Sequence, residues 1–467
     1  MKKRLGWGIA AALGLWPAAA LAHAADRGFV MLLPTGYYLA GGAAAVALSA
    51  VVLAFLPAAP LLKIARWRLA LWRPRIDGRA VTSWLSFLVL GGLVFAGFEG
   101  SRDPLSNPLP LIIWTVWWAG MTLLSGLLGN IWRWLDPWYG PAWLVTRIVG
   151  RDPDKGFLRL PAGIGQRPAI GLFFAFAWFE LIDPAPTDPD RLAFAVAAYW
   201  VFTFAGILLA GHAAWTRHVE PFSIFFGMIG RLSPFSRKAE APFSLLPPGG
   251  KLVDAPPLTP SGTLFLLLAL STVSFDGLMH TFRWLALIGV NPLEFEGRSS
   301  VIAANTLGMA GMFAVVACAF LGAIATGGRL AGAKIPFWQQ AGLLVWSIVP
   351  IALAYHFAHY LIVLAINGQY AFAAISDPLS NGANLFGTAR YHVVAGVTMG
   401  LESAWIIWNL QAGAIIGGHV LAVLIAHVIA YRIHGDEKRA VLSQLPLAVL
   451  MVAYTAFGLW LLSTPTA

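Results

Sequence analysis

The chain has a single cysteine, and it has little charge of either sign. Cys318 stands inside the apolar run GMFAVVACAFLGA, so an intrachain disulfide is excluded and a cysteine-built metal cluster has no basis. Only 11% of the 467 residues are charged, against about a quarter in a soluble protein. Tandem repeats and low-complexity tracts are absent. So are a Gly-x-Ser-x-Gly elbow, a zincin His-Glu-x-x-His and a Walker loop, which removes several hydrolytic and nucleotide-binding classes.

What is abundant is apolar. Hydrophobic residues make up 58% of the chain and the mean hydropathy is +0.72. Several runs approach or exceed the ~20 apolar residues that cross a bilayer. The expected fold is an all-α, polytopic transmembrane helical bundle. Ten spans are expected, near residues 36–57, 81–98, 109–129, 168–183, 192–212, 261–280, 301–326, 337–366, 409–431 and 442–463. The N-terminus has a basic start, a short apolar core and the small-residue site Ala20-Leu21-Ala22, the pattern of a secretory signal over 1–22. Cleavage there leaves His23 first in a single membrane domain, 23–467; an uncleaved first helix is the alternative.

The net charge of +10 is an orientation signal. The connections at 58–80, 130–167, 213–260, 327–336 and 432–441 hold 22 of the 31 Lys and Arg, and the opposite-side segments only six. By the positive-inside rule the basic loops are cytoplasmic. Both mature termini then lie outside, as an even number of spans requires. A nucleic-acid partner is not expected; the bilayer is. The implied location is a bacterial inner membrane, crossed many times.

The basic loops are rich in Trp and Pro (KIARWRLALWRPR, GNIWRWLDPWYGP, FSIFFGMIGRLSPFSRK) and read as interfacial re-entrant or surface helices. The Asp-Pro pairs at Asp103, Asp136, Asp152, Asp183 and Asp377 read as helix starts.

Ionisable groups within a bilayer are costly and mark functional sites. In IALAYHFAHYLIVLAINGQY, His356 and His359 share a helix face at i, i+3 spacing. His419 is expected at a similar depth in span nine. In SFDGLMHT, Asp276 and His280 lie four apart at the outer end of span six. One carboxylate and four imidazoles at one level suit a divalent transition metal, Zn or Cu above all. Asp276 either binds it or orients a liganding His; histidines packed and hydrogen-bonded between helices are the structural alternative. His427 and His212 lie deeper and are left out.

His23, as a mature N-terminus, offers an amine and an imidazole to one ion. Near the outer surface, Glu180 and Asp183 end span four. The long outer loop 367–408 carries Asp377, Asn381, Arg390 and His392 and reads as a lid or an interfacial cap.

The stretches LGNIWRWLDPW, WFELIDPAPTDPDRLA, STVSFDGLMHT and GQYAFAAISDPLSNGANLFGT resemble, in that order and over most of residues 23–440, a bacterial family of polytopic membrane proteins, some of them described as fenitrothion hydrolase. The resemblance implies hydrolysis of a small apolar organophosphorus ester, and it carries no catalytic residues over. A bound metal would polarise the ester and lower the pKa of its water, with Asp276 or Glu180 as general base. A transition-metal transporter or metal-handling protein is the first alternative, and it predicts polar groups along a whole crossing path. A b-haem protein with two axial histidines is the second. Assembly with itself or with another subunit stays open.

Overall fold

Proline and a polar cap start several of the helices. Asn107, Asp188, Glu220 and Thr259 each precede a proline at the first helical position, and each side-chain oxygen accepts from a backbone N–H of the first turn. The missing proline N–H costs nothing there, and the cap satisfies an otherwise orphaned donor. The computed structural model describes residues 35–72, 78–236, 242–291, 297–398 and 400–464. The expected signal and His23 lie outside them.

The fold is an all-α polytopic bundle. Its main helices are α1 (Thr35–Phe55), α2 (Arg79–Glu99), α3 (Pro108–Leu128), α4 (Arg167–Leu181), α5 (Pro189–Ala210), α6 (Pro260–Met279), α7 (Ile302–Ala331), α8 (Val349–Ala374), α9 (Leu401–His434) and α10 (Glu437–Ser463). Among the described residues nine helical segments are long and apolar enough to cross a membrane. They match nine of the ten expected spans; the remaining one is α4, apolar but only 15 residues long.

Helix α6 is the centre. It is the most deeply buried span and packs on α4, α7, α8 and α10. Helix α8 lies between α3 and α9, and α10 closes the far side against α1, α7 and α9. Small residues permit the close crossings: a Cβ on Gly327 of α7 would stand 1.9 Å from the Ser443 carbonyl of α10. Such approaches replace the hydrophobic drive that a lipid-like surrounding does not supply.

Three sequence expectations are corrected here. Helices α8 and α9 overrun their expected limits, reaching Ala374 and starting at Leu401, because apolar residues such as Phe372, Leu401 and Trp405 carry the helical pattern outward. The outer connection is correspondingly shorter than 367–408.

The basic loops are not all interfacial helices. Leu69–Trp72 (β1), Phe235–Ser236 (β2) and Phe243–Leu245 (β3) form a small antiparallel sheet in the order β1-β3-β2, with Leu69 and Phe235 both opposite Leu245. The segment Pro221–Ile229 is a helix with Phe222, Phe225 and Phe226 buried in the bundle.

The five Asp-Pro aspartates mostly close turns instead of starting long helices. Asp103, Asp152 and Asp183 accept from the backbone N–H two residues on, and Asp377 from those of Asn381 and Gly382. Asp136 accepts from Tyr139 N, at the start of the short helix Tyr139–Ile148. The Asp-Pro that starts a spanning helix is Asp188.

Candidate functional site

Asp276 is only 7% exposed, in the last turn of α6. A carboxylate at that end of a helix faces the negative end of the helix dipole and has lost most of its water, so it needs partners. The fold supplies two imidazoles. Its Oδ2 lies 2.6 Å from Nε2 of His359 on α8, and its Oδ1 3.8 Å from Nε2 of His280, the C-cap residue just past α6. The Arg298 guanidinium adds favourable charge from further off.

Asp276, His280 and His359 line a cleft of about 130 Å³ between α6, α8, α9 and α10, completed by Gln411, Tyr355 and apolar residues such as Ile362, Ile407 and Leu461. Gln411 donates to the Ala358 carbonyl and so joins α9 to α8 beside His359. The cleft owes its form to unequal helix lengths. Helix α6 ends at Met279, whereas α8 continues fifteen residues past His359, about 22 Å at the usual rise. The buried charge thus sits at the end of a short central helix, walled by longer ones.

On the other side of α8 a second chain of hydrogen bonds begins. The Trp118 indole donates to Tyr360 Oη (3.0 Å), and the Tyr360 hydroxyl donates to Glu180 Oε1 (2.6 Å). Glu180 belongs to α4 and does not line the cleft, though its charge and that of Asp276 act on each other. Arg298 Nη1 donates to the carbonyls of Glu180 (3.0 Å) and Asp183 (3.3 Å).

The structure therefore brings Asp276, His280 and His359 together directly and attaches Glu180 through Tyr360. His356 is 2% exposed, with its ring against Trp118 (5.2 Å between centroids) and Tyr360 (4.6 Å). His419 stands apart. It packs against Tyr355 and Tyr454, donates from Nδ1 to the Ile415 carbonyl (2.8 Å), and does not line the cleft. Asp183 pairs with Arg191, and Asp377 is spent on its own loop. Arg390 and His392 are exposed in the outer connection.

Tyr360 and Gln411 were not singled out in the sequence. Tyr360, next to His359 and buried, was within reach of the same argument; Gln411 carried no local signal.

One carboxylate and two imidazoles are donors of the kind a transition metal takes. Here Asp276 is closely paired with His359, with His280 3.8 Å off, and among the described residues no group of three or more His, Cys, Asp or Glu is arranged to hold a metal ion.

At the opposite end of the bundle a buried cluster has a structural part. Asp136 meets Arg79 (3.1 Å) and His212 (3.4 Å), and Arg79 lies over the Tyr139 ring. Burial opposes the ionisation of Asp136, but His212 and Arg79 outweigh it and hold the carboxyl below its ordinary value. Compared with family models, curated proteins and solved structures, the chain matches none of them.

Proposed function

We propose that the protein is a membrane-embedded hydrolase of small apolar organophosphorus esters, and that the cleft at the end of α6 is where a water is activated. The observation that carries this reading is the short Asp276–His359 contact beside His280 at the cleft. A buried carboxylate orients an imidazole and stabilises its protonated form, which is what a general base requires. In the proposed step the Asp276–His359 pair takes a proton from water as the water oxygen bonds to phosphorus. The bond from phosphorus to the aryl oxygen breaks, and the departing aryloxide takes up a proton from His280 or solvent. The apolar walls suit the aryl group.

Asp276 is spent on His359, with His280 3.8 Å away. Were a divalent ion bound, Asp276, His280 and His359 would be the residues to hold it, and it would supply a Lewis acid.

The test is release of nitrophenolate from a nitrophenyl phosphotriester by purified protein, with metal content measured on the same sample. Turnover that falls 10²- to 10⁴-fold in Asp276→Asn, the usual range for a lost general base, supports the reading. Absence of turnover in folded wild-type protein, with metal offered, overturns it.

A second reading, ion or proton transport, is favoured by one observation. His419 and His427, both fully buried on α9, each keep an Nε2 without a hydrogen-bond partner among the described residues. Groups of this kind are expected along a crossing path. Uptake of protons or divalent ions by proteoliposomes, abolished in His419→Ala, would favour transport over hydrolysis.

A further inference from the structure

At the end of the bundle that carries the basic loops, a cavity of about 1140 Å³ opens between the segment 154–165, the starts of α4 and α6, and the segment following α5. Three cations line it: Lys155, Arg159 and Arg167. All three are exposed, and none has an ion pair among the described residues. The carboxylate that faces the same space, Asp154, lies 3.8 Å from His212. Helices α4 and α6 both begin here, and their N-terminal dipoles add to the positive field.

The rest of the lining is not that of a polar anion pocket. Leu160, Ile170, Leu264 and Trp338 form an apolar wall next to the cations. The loop is fixed in place: His218 donates from Nδ1 to the Gly165 carbonyl (2.9 Å), and Gly165, at φ +55°, takes a backbone conformation that favours glycine. A free anion uses the charges and leaves the wall unused. A ligand with an anionic head and apolar chains uses both.

We infer that this cavity binds an acidic phospholipid of the adjoining leaflet, its phosphate among Lys155, Arg159 and Arg167 and its acyl chains along Leu160, Ile170 and Leu264. Basic pockets between spans are suited to such headgroups, each cation near an anionic surface contributing about 1 kcal/mol. The inference does not depend on the chemistry of the cleft at the far end of α6.

The experiment is lipid binding to the full-length protein in detergent, followed by native mass spectrometry and by thermal unfolding. The probes are phosphatidylglycerol, phosphatidylcholine and inorganic phosphate. Phosphatidylglycerol is expected to bind and to raise the unfolding temperature, whereas phosphatidylcholine and phosphate do neither. Lys155→Gln/Arg159→Gln/Arg167→Gln should weaken phosphatidylglycerol on the order of 100-fold, from three charges at the usual value each. The single variant Arg159→Gln should weaken it about 5-fold on the same scale, which keeps the test open if the triple variant does not fold. Lys334→Gln, exposed and outside the cavity, should change nothing. Equal binding of the two lipids, or unchanged binding by a folded triple or single variant, overturns the inference. Stabilisation by inorganic phosphate without lipid preference assigns the cavity to a soluble anion and overturns it as well.

Discussion

Asp276 is held by His359, from a different helix, more closely than by His280, the C-cap residue just past α6. The carboxylate stands 2.6 Å from the first imidazole and 3.8 Å from the second. The contact ties α6 to α8 at the cleft, and it makes the two histidines unequal. His359→Asn should therefore cost the proposed ester hydrolysis 10²-fold or more, within the range for a lost acid–base group, and His280→Asn roughly 10-fold, below that range because solvent can replace it as the proton donor. Steady-state rates of the two folded variants check this. Equal losses would mean that the shorter contact has no special part.

Tyr360 donates to Glu180 and accepts from Trp118. Tyr360→Phe leaves a carboxylate and an indole N–H short of a partner and should destabilise the protein by about 1–3 kcal/mol. Thermal unfolding in detergent measures it. Glu180→Gln keeps an acceptor for the hydroxyl and should be milder. The reverse order would contradict this reading of Glu180 as a group placed through Tyr360.

The Arg79–Asp136–His212 cluster predicts both a mutational and a pH effect. Asp136→Asn removes one partner of a buried pair and should cost about 3 kcal/mol. In the folded protein the carboxyl is held below its ordinary value, so the folded state binds fewer protons than the unfolded one. Its contribution is present above the unfolded pKa and is lost as pH falls through the lower folded one. Wild type should thus lose unfolding temperature below about pH 4, where free aspartate titrates, and Asp136→Asn should lose less. Parallel curves for the two proteins would sink the assignment.

Lys251 gives the same slope in a higher pH window, and for a different cause. Its ammonium donates to the carbonyls of Gly230 (2.8 Å) and Phe235 (2.6 Å), but burial first, and the Arg231 charge second, push it down to about 8. Between pH 8 and the unfolded value near 10.5 the unfolded state binds more protons, so stability rises with pH in that window. The rise should be missing in Lys251→Met. Unfolding temperatures of both proteins from pH 7 to 10.5 decide it.

The α7–α10 crossing has no room to spare. A Cβ at Gly327 would lie 1.9 Å from the Ser443 carbonyl oxygen, which is backbone and cannot swing aside. Gly327→Ala should destabilise by about 1–3 kcal/mol, the range for overpacking. Gly322→Ala, on the same helix with open space at its Cβ, should be neutral or slightly stabilising. Equal unfolding temperatures for the two variants would contradict the crossing.

Much of this protein is written locally. Apolar runs identify a multi-pass bundle, because burying a backbone in an apolar medium leaves the helix as the economical solution for each run by itself. The cost of an ionisable group in such a run is also local, and Asp276, His280 and His359 were legible for that reason. Tertiary structure alone decided which of the costly residues meet. Asp276 has His359 as its close partner, Glu180 has Tyr360, and His419 is left behind Tyr355. Sequence could not choose among these, because spans that are apolar on every face carry no periodicity that names a neighbour. The choice falls to close contacts such as Gly327 on Ser443, to the Gln411 bond across α8 and α9, and to α6 ending short of the helices around it. Each is a relation between segments far apart in the chain, and it has physical meaning only once they are packed.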